Sequence, residues 1–303
     1  MDFMNDYARL HKNIIDLIEQ DAEHGFYITD QDLTFTSVFQ PIFDREHNIY
    51  GVEALARIFD VDGAAVNPHD YFESIRHDDK TSVTATLTCA IIHMLNFSRS
   101  CYFDKKLFIN VTPVIFEILS NHEIAVDTLV RGLKKIGLSP AQLVYEIIEF
   151  EGRNLESVLN GIQKLADFGI EVAIDDYGSA YSTEARARSI KPDYLKIDKS
   201  IVDLLAAFKY SKFHHAVSIG RSIKAKTIAE GIETKEVLER CMASGADYFQ
   251  GYYLARPEKL ARPEKLARPE KLARPLELGR PEQLANLESL EKSESVSQSS
   301  ESN

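Results

Sequence analysis

Eight short β-branched or aromatic runs punctuate the chain: SVFQPIF (37–43), YGVEALARI (50–58), KLFINVT (106–112), VYEIIE (144–149), VAIDD (172–176), YLKID (194–198), TIAEG (227–231) and YFQGYY (248–253). Between them lie longer stretches with apolar residues at helical spacing, among them VTATLTCAIIHMLNF (83–97), VDTLVRGLKKIG (126–137), LESVLNGIQKLADFG (155–169) and KEVLERCMASG (235–245). The last three end on glycine, the residue that most readily takes the left-handed conformation that stops a helix. Strands alternating with helices in this way predict an α/β fold, a (β/α)8 barrel of the TIM type. An open doubly wound sheet is disfavoured, because no Gly-rich dinucleotide fingerprint follows an early strand. Only six residues, DREHNI, separate the first two runs. That is too few for a parallel crossover, so the barrel is expected to be modified by an antiparallel first strand pair.

Polar residues fall in or just after the runs. Glu53 interrupts an apolar strand, Asn110 ends LFIN, and Glu146 and Glu149 lie in YEIIE. Asp175 and Asp176 close VAIDD, Lys196 sits in YLKID, Glu230 follows TIA, and Gln250 precedes Gly251. Singly, each reads as a surface or salt-bridged residue. Together they form the pattern left by a site at one mouth of a barrel, where the C-terminal ends of several strands converge. Glu, Asn and Asp are hard oxygen ligands suited to Mg²⁺ or Mn²⁺. Two adjacent aspartates in a straight strand would point to opposite faces. If the strand ends at Asp175, the loop can turn Asp176 back toward the mouth, where two cations sharing the pair relieve its like-charge repulsion. Glu149 has the opposite strand parity to Glu146 and is better suited to anchoring a neighbouring loop.

The flanks read differently. Residues 1–32 are expected to form a helix, with Leu10, Ile14, Leu17 and Ile18 at helical spacing, leading into a polar connection. Packing on the barrel is the plainer reading of this helix and partner binding the alternative. From Ala255 the hexamer ARPEKL occurs three times, then decays through ARPLEL and GRPEQL into a Ser/Glu-rich end. A proline every six residues forbids one continuous helix, so 258–303 is expected to be a low-complexity, disordered tail, with docking of a protein partner as the alternative role. The barrel domain proper is then 33–257.

A net charge of −12 argues against binding a long nucleic acid but not against a small phosphorylated ligand held through metal ions. Cys89, Cys101 and Cys241 are widely spaced and form no CxxC, so free thiols are expected, and adjacent His214 and His215 read as surface residues. No run is long and apolar enough to span a membrane, and the start lacks a signal-peptide pattern, so a cytoplasmic location is the default expectation.

The residues resemble a known family. Glu53-Ala54-Leu55, with Arg57 two positions on, is similar to the signature of the EAL domain, a family of cyclic di-GMP phosphodiesterases. FQPIF, FINVT, YEIIE, IDDYGSAYS, LKID, IAEGIE and YFQGYY follow that family's order and spacing over about residues 33–257. The resemblance implies hydrolysis of cyclic di-GMP to linear pGpG with two Mg²⁺ or Mn²⁺ ions per site, and a homodimer. It implies that Glu53, Asn110, Glu146 and Asp175 hold one ion, and that Asp175, Asp176 and Glu230 serve the second. Lys196 would orient the attacking water, Glu230 would assist proton removal, and Gln250 would support the second ion or its water. Gln40 and Arg57 would bind substrate, and Glu149 would anchor the loop. Departures lie after the aspartates, where Ala180-Tyr181-Ser182-Thr183 replaces the family's usual Gly-Tyr-Ser-Ser, and at Ile148, where Thr is common. A catalytically silent cyclic di-GMP receptor or protein-interaction module on the same fold is the alternative. An enolase-type barrel with a Lys base is more remote, because the Lys here follows the ligands.

Overall fold

The computed structural model describes residues 3–147, 154–178 and 183–259. The chain begins with α1 (Phe3–Asp16), a hairpin of β1 (Ile18–Asp21) and β2 (Gly25–Asp30), and the long strands β3 (Leu33–Phe43) and β4 (Ile49–Phe59). After the short β5 (Ala65–Val66) come α2 (Pro68–Ile75), α3 (Asp79–Ser98), β6 (Lys106–Val111), α4 (Pro113–Asn121), α5 (Glu123–Lys135) and β7 (Leu143–Ile147). The remainder is α6 (Leu155–Ala166), β8 (Glu171–Tyr177), α7 (Glu184–Ile190), β9 (Tyr194–Ile197), α8 (Lys199–Ala206), α9 (Ser211–Ile223), β10 (Lys226–Ala229), α10 (Lys235–Ala243) and β11 (Tyr248–Phe249).

Each of the eight runs contains a strand, the last only at Tyr248–Phe249, and those eight strands close on themselves in the order β3-β11-β10-β9-β8-β7-β6-β4 and back to β3. β3 runs antiparallel to both neighbours, while the other adjacent pairs in the ring are parallel. The antiparallel first pair expected from the short DREHNI connection is present. Its turn is fastened by Asp44, whose Oδ1 accepts from the backbone N–H groups of Glu46 and Asn48.

Strand alternation sorts the side chains. On β6, Leu107, Ile109 and Val111 pack outward with Phe116 and Leu119 of α4 in the main core, while Phe108 points into the barrel. The interior cluster comprises Ile42, Phe108, Val144, Ala173, Tyr194 and Ile228, all buried. Burying each large member contributes about 1.5–3 kcal/mol. Below this layer the barrel is plugged: Tyr194 donates to Glu171 Oε2 at 2.9 Å, Glu171 also pairs with Lys106, and Tyr50 stacks on Tyr248 at 4.0 Å. Gly137, Gly169 and Gly245 follow α5, α6 and α10 with φ of 79°, 80° and 90°, the left-handed stop expected from the sequence.

The N-terminal segment differs from expectation. Leu17 and Ile18 do not continue α1; the chain turns into the β1–β2 hairpin, which pairs antiparallel along β3. The turn is built by Asp21, whose Oδ1 accepts from the N–H groups of Glu23 and His24, and by Gly25 at φ 71°. The i, i+3, i+4 spacing of Ile14, Leu17 and Ile18 imitates a helix, but FYIT has strand alternation, with Phe26 and Ile28 buried. α1 itself packs outside the barrel, placing Ile14 against the α3 cluster of Cys89, Ile91 and Ile92. Among the described residues no helix is long and apolar enough to cross a membrane, and the three cysteines are free, two of them buried.

His93 on α3 is buried and bonds through Nδ1 to Ser37 Oγ of β3 at 2.7 Å. Burial pushes its pKa down to about 3, so the ring is neutral in the fold and takes up a proton on unfolding below its ordinary value. Its stabilising share is complete above pH 6.5 and is lost as pH falls toward 3. Between pH 7.5 and 5 the native protein should lose about 2 kcal/mol more than a His93→Gln variant, measured by urea unfolding. Parallel losses in the two proteins would refute this assignment.

Candidate active site

The polar residues stand directly above the interior apolar layer. On β6, β7, β8, β9 and β10 each inward apolar residue is followed two positions later by a polar one: Phe108 by Asn110, Val144 by Glu146, Ala173 by Asp175, Tyr194 by Lys196 and Ile228 by Glu230. On β11 Gln250 follows Tyr248, and on the antiparallel β3 Gln40 precedes Ile42. Glu53 of β4 lies opposite Gln40 in the ladder. Because side chains two apart share a face, every strand of the ring places one polar group at the same mouth.

Lys196 is the centre of this layer. Its Nζ lies 2.7 Å from Glu146 Oε1, 2.9 Å from Asp175 Oδ1, 2.9 Å from Glu230 Oε1 and 3.5 Å from Glu53 Oε1, with only 1% of the side chain exposed. Burial opposes its charge, yet the four carboxylates, led by Asp175, outweigh that and hold its pKa well above the ordinary lysine value. Glu146 is driven in the other direction: full burial, then the charge of Glu53, raise its pKa well above the usual carboxylate range. Glu230 is likewise raised, by burial first.

Around Glu53, Gln250 Nε2 donates to Oε2 at 2.7 Å and Asn110 Nδ2 donates to Oε1 at 3.2 Å. Gln250 is therefore placed against a member of the first expected ligand set. Its position depends on Gly251: a Cβ there would meet the backbone N and O of Ile232 at 2.2 Å. A Gly251→Ala variant should lose about 3 kcal/mol or more of stability, because backbone rather than a flexible side chain would have to move. A wild-type urea midpoint would overturn that expectation.

Asp175 and Asp176 lie in a bulge. The strand does not end at Asp175; β8 runs to Tyr177, and its register with β9 breaks between Ile174 and Tyr177. Asp176 takes φ 51°, a left-handed conformation that an Asp tolerates better than most residues, and its N–H bonds to Asp175 Oδ1 at 3.0 Å. The extra residue brings both carboxylates to the mouth. Asp176 keeps an exposed face, yet partial desolvation, followed by the charge of Asp175, pushes its pKa up to about 6.

Two groups of carboxylates can each offer oxygens lying within 4.8 Å of one another: Glu53, Glu146 and Asp175, and Asp175, Asp176 and Glu230. Asp175 belongs to both. Five carboxylates thus face one ammonium, and two like charges 4 Å apart repel by about 4 kcal/mol even at an effective dielectric of about 20. Glu146 Oε2 and Gln250 Oε1 are buried without a hydrogen-bond partner, and Glu146 Oε1 meets Lys196 by proximity rather than in hydrogen-bond alignment. Excess negative charge, all-oxygen donors and orphaned buried acceptors fit hard divalent cations.

Two expected substrate residues hold backbone carbonyls rather than the carboxylates around Lys196. Arg57 is half-buried farther along β4, its Nη1 bonded to the carbonyl of Ala56 at 2.8 Å. Gln40 donates through Nε2 to the carbonyl of Ala255 at 3.1 Å. Glu149, Ile148 and residues 179–182 lie outside the described residues. His214 and His215 are exposed, as expected.

The sequence reading missed Lys199. Its stem packs over Gly231, where an added Cβ would meet it at 2.5 Å, and its Nζ reaches Glu233 and Asp203, both at 3.1 Å. It braces the loop that carries Glu230. The i, i+4 pair Lys199–Asp203 was the only local signal, and such pairs are usually mere surface contacts.

Known proteins are similar to this chain in sequence and fold. The family model for the EAL domain matches residues 28–257. The cyclic di-GMP phosphodiesterase PdeF of Escherichia coli is 26% identical over 249 residues, covering 80% of this chain and 31% of that protein, so the chain spans under a third of that relative. The Bacillus subtilis YkuI protein, solved with substrate c-di-GMP and calcium, is 25% identical with a TM-score of 0.62, covering 75% of this chain and 57% of that one. The Klebsiella pneumoniae BlrP1 manganese/c-di-GMP complex shares the fold at 24% identity and a TM-score of 0.63, covering 80% of this chain and 58% of that one. With the family model spanning the whole barrel and every strand of the ring carrying its polar residue, this chain belongs to the EAL domain family.

Proposed function

We propose that this protein hydrolyses one phosphodiester bond of cyclic di-GMP, releasing linear pGpG, with Mg²⁺ or Mn²⁺ as the metal. The observation that carries this reading is the pair of acidic triads sharing Asp175 at the barrel mouth. Glu53, Glu146 and Asp175, with the amide oxygen of Asn110, would hold one ion, and Asp175, Asp176 and Glu230 the other. Bound divalent ions supply Lewis acidity, which lowers the pKa of water and offsets phosphate charge.

The protein's own groups do the rest. Lys196 keeps four carboxylates converged at the mouth and can donate to the attacking water. Glu230, whose Oε1 lies 2.9 Å from Lys196 Nζ at the mouth, is placed to take the proton of that water. Gln250 and Asn110 fix the orientation of Glu53 through its two oxygens. Arg57, once released from Ala56, offers a planar fork that matches a phosphate. The closed floor of tyrosines leaves the mouth as the side on which the nucleotide is met.

Incubating the purified protein with cyclic di-GMP and Mn²⁺, and separating the nucleotides, tests the reading. Formation of pGpG by the native chain and its loss in Glu53→Ala is the expected result. Tight binding with no pGpG under either metal would replace this reading with that of a silent receptor.

A further inference from the structure

The sheet does not stop at the barrel wall. The β1–β2 hairpin pairs with the first residues of β3 and carries the ladder outward from the end of β4 that lies past Glu53. Ile18, Ile28, Phe35, Ile58 and Val66 stand opposite one another in turn across β1 to β5, and all of them pack with Cys89 and Ile92 of α3. Their neighbours along each strand therefore face the other way. Glu19 lies opposite Tyr27, Thr36 lies opposite Arg57, and Tyr27 and Thr36 flank the Ile28–Phe35 pair. Glu19, Tyr27, Thr36 and Arg57 thus form one row across four strands. Strand parity puts Thr36 on the face of Gln40 and Arg57 on the face of Glu53, so the row opens on the side of the mouth. Thr36 is buried, Tyr27 and Arg57 are half-buried, and Glu19 is exposed. At the usual strand spacing Glu19 stands about 14 Å from Arg57.

The chemistry changes along the row. The Arg57 end carries a guanidinium suited to phosphate. At the far end the Tyr27 hydroxyl donates to Glu19 Oε2 at 3.0 Å, which fixes the carboxylate across the two strands. Between residues 16 and 32 there are six Asp or Glu and no Lys or Arg, so this end repels phosphate and accepts N–H donors. Guanine offers two such donors side by side, N1–H and the N2 amino group, on an edge that matches the two oxygens of a carboxylate, and its flat face stacks on an aromatic ring. Adenine places an acceptor, N1, on the same edge, where a carboxylate repels it. On the reading that cyclic di-GMP is the nucleotide met at this mouth, we propose that Glu19 and Tyr27 receive one of its guanine bases while Arg57 meets a phosphate, and that Glu19 makes the site select guanine over adenine. Both residues precede residue 28, where the family match begins, so this recognition belongs to the hairpin that this chain adds at the rim.

The test is made in the full chain by calorimetric binding of cyclic di-GMP and of cyclic di-AMP, with Ca²⁺, the ion of the YkuI complex. The ratio of the two affinities is the readout. Glu19→Gln replaces one acceptor oxygen by an amino group, which clashes with a guanine donor and suits the N1 acceptor of adenine. The ratio should fall by about tenfold or more, with cyclic di-AMP bound as well as before or better. Tyr27→Ala, which removes the stacking ring, should weaken both nucleotides by about tenfold. An unchanged ratio in Glu19→Gln would overturn the proposal. So would equal weakening of both nucleotides by Glu19→Gln, which would give Glu19 a part only in the shape of the hairpin. A native protein that binds neither nucleotide would overturn the proposal together with its premise. A native protein that forms no pGpG with Mn²⁺, but whose ratio still falls on Glu19→Gln, would count against hydrolysis and in favour of this row.

Discussion

Replacing Asp175 by Asn is expected to lower turnover of cyclic di-GMP by about a thousandfold or more. It is the one carboxylate common to both acidic triads, so its loss weakens each cation site at once. It also carries one of the contacts to Lys196, at 2.9 Å, and accepts the N–H of Asp176 that shapes the bulge. Calorimetric titration with Mn²⁺ separates these roles from simple loss of activity. Native protein should bind two ions, Glu53→Gln and Asp176→Asn should each weaken mainly one, and Asp175→Asn should weaken both. An Asp175→Asn protein that still bound one ion with native affinity would show that the triads do not share the residue in function.

Substituting Lys196 by Met should both abolish turnover and destabilise the metal-free protein by about 3–5 kcal/mol, because an uncompensated buried charge remains when one partner of an ion pair is removed. The side chain is 1% exposed and touches carboxylates from four different strands or their ends, so no solvent is at hand to replace it. Mn²⁺ should bind the variant more tightly than the native protein, because the ammonium no longer occupies the same carboxylates, so at equal Mn²⁺ the variant gains more stability and the deficit shrinks. Urea unfolding of both proteins in chelator and in Mn²⁺ measures this difference. Equal midpoints in chelator would mean that the ammonium does not hold the empty mouth together.

The two experiments bear on different halves of one design. Lys196 supplies a single fixed positive charge against five carboxylates, and the remaining excess is what a pair of divalent ions can answer. Asp175 is where those demands meet, since it faces the lysine and both triads.

Much of this was legible before any coordinates. Strand parity decides which residues face inward, and parity is a property of spacing: Phe108 and Asn110, Val144 and Glu146, or Tyr194 and Lys196 must share a face wherever those strands run. The antiparallel β3–β4 pair was also fixed locally, by a connection too short to cross over. The hairpin at Ile18–Asp30 was not legible, because its apolar spacing fits both a helix and a strand until β3 offers a partner. Nor was the bulge, since the left-handed turn at Asp176 arises only when β8 is held in register with β9 on one side and must bend toward the mouth on the other.

The sequence by itself determined the alternation that makes a barrel, the inward polar layer and its all-oxygen chemistry, because each depends on spacing and residue type within one strand. Only the tertiary structure decided that Lys196 sits among carboxylates from other strands, that Gln250 and Asn110 both fasten Glu53, and that Glu258 pairs with Phe39 of β3. Those pairings join residues as far apart as Phe39 and Glu258. Which distant groups meet is set by the closure of the ring, which no local pattern along the chain encodes.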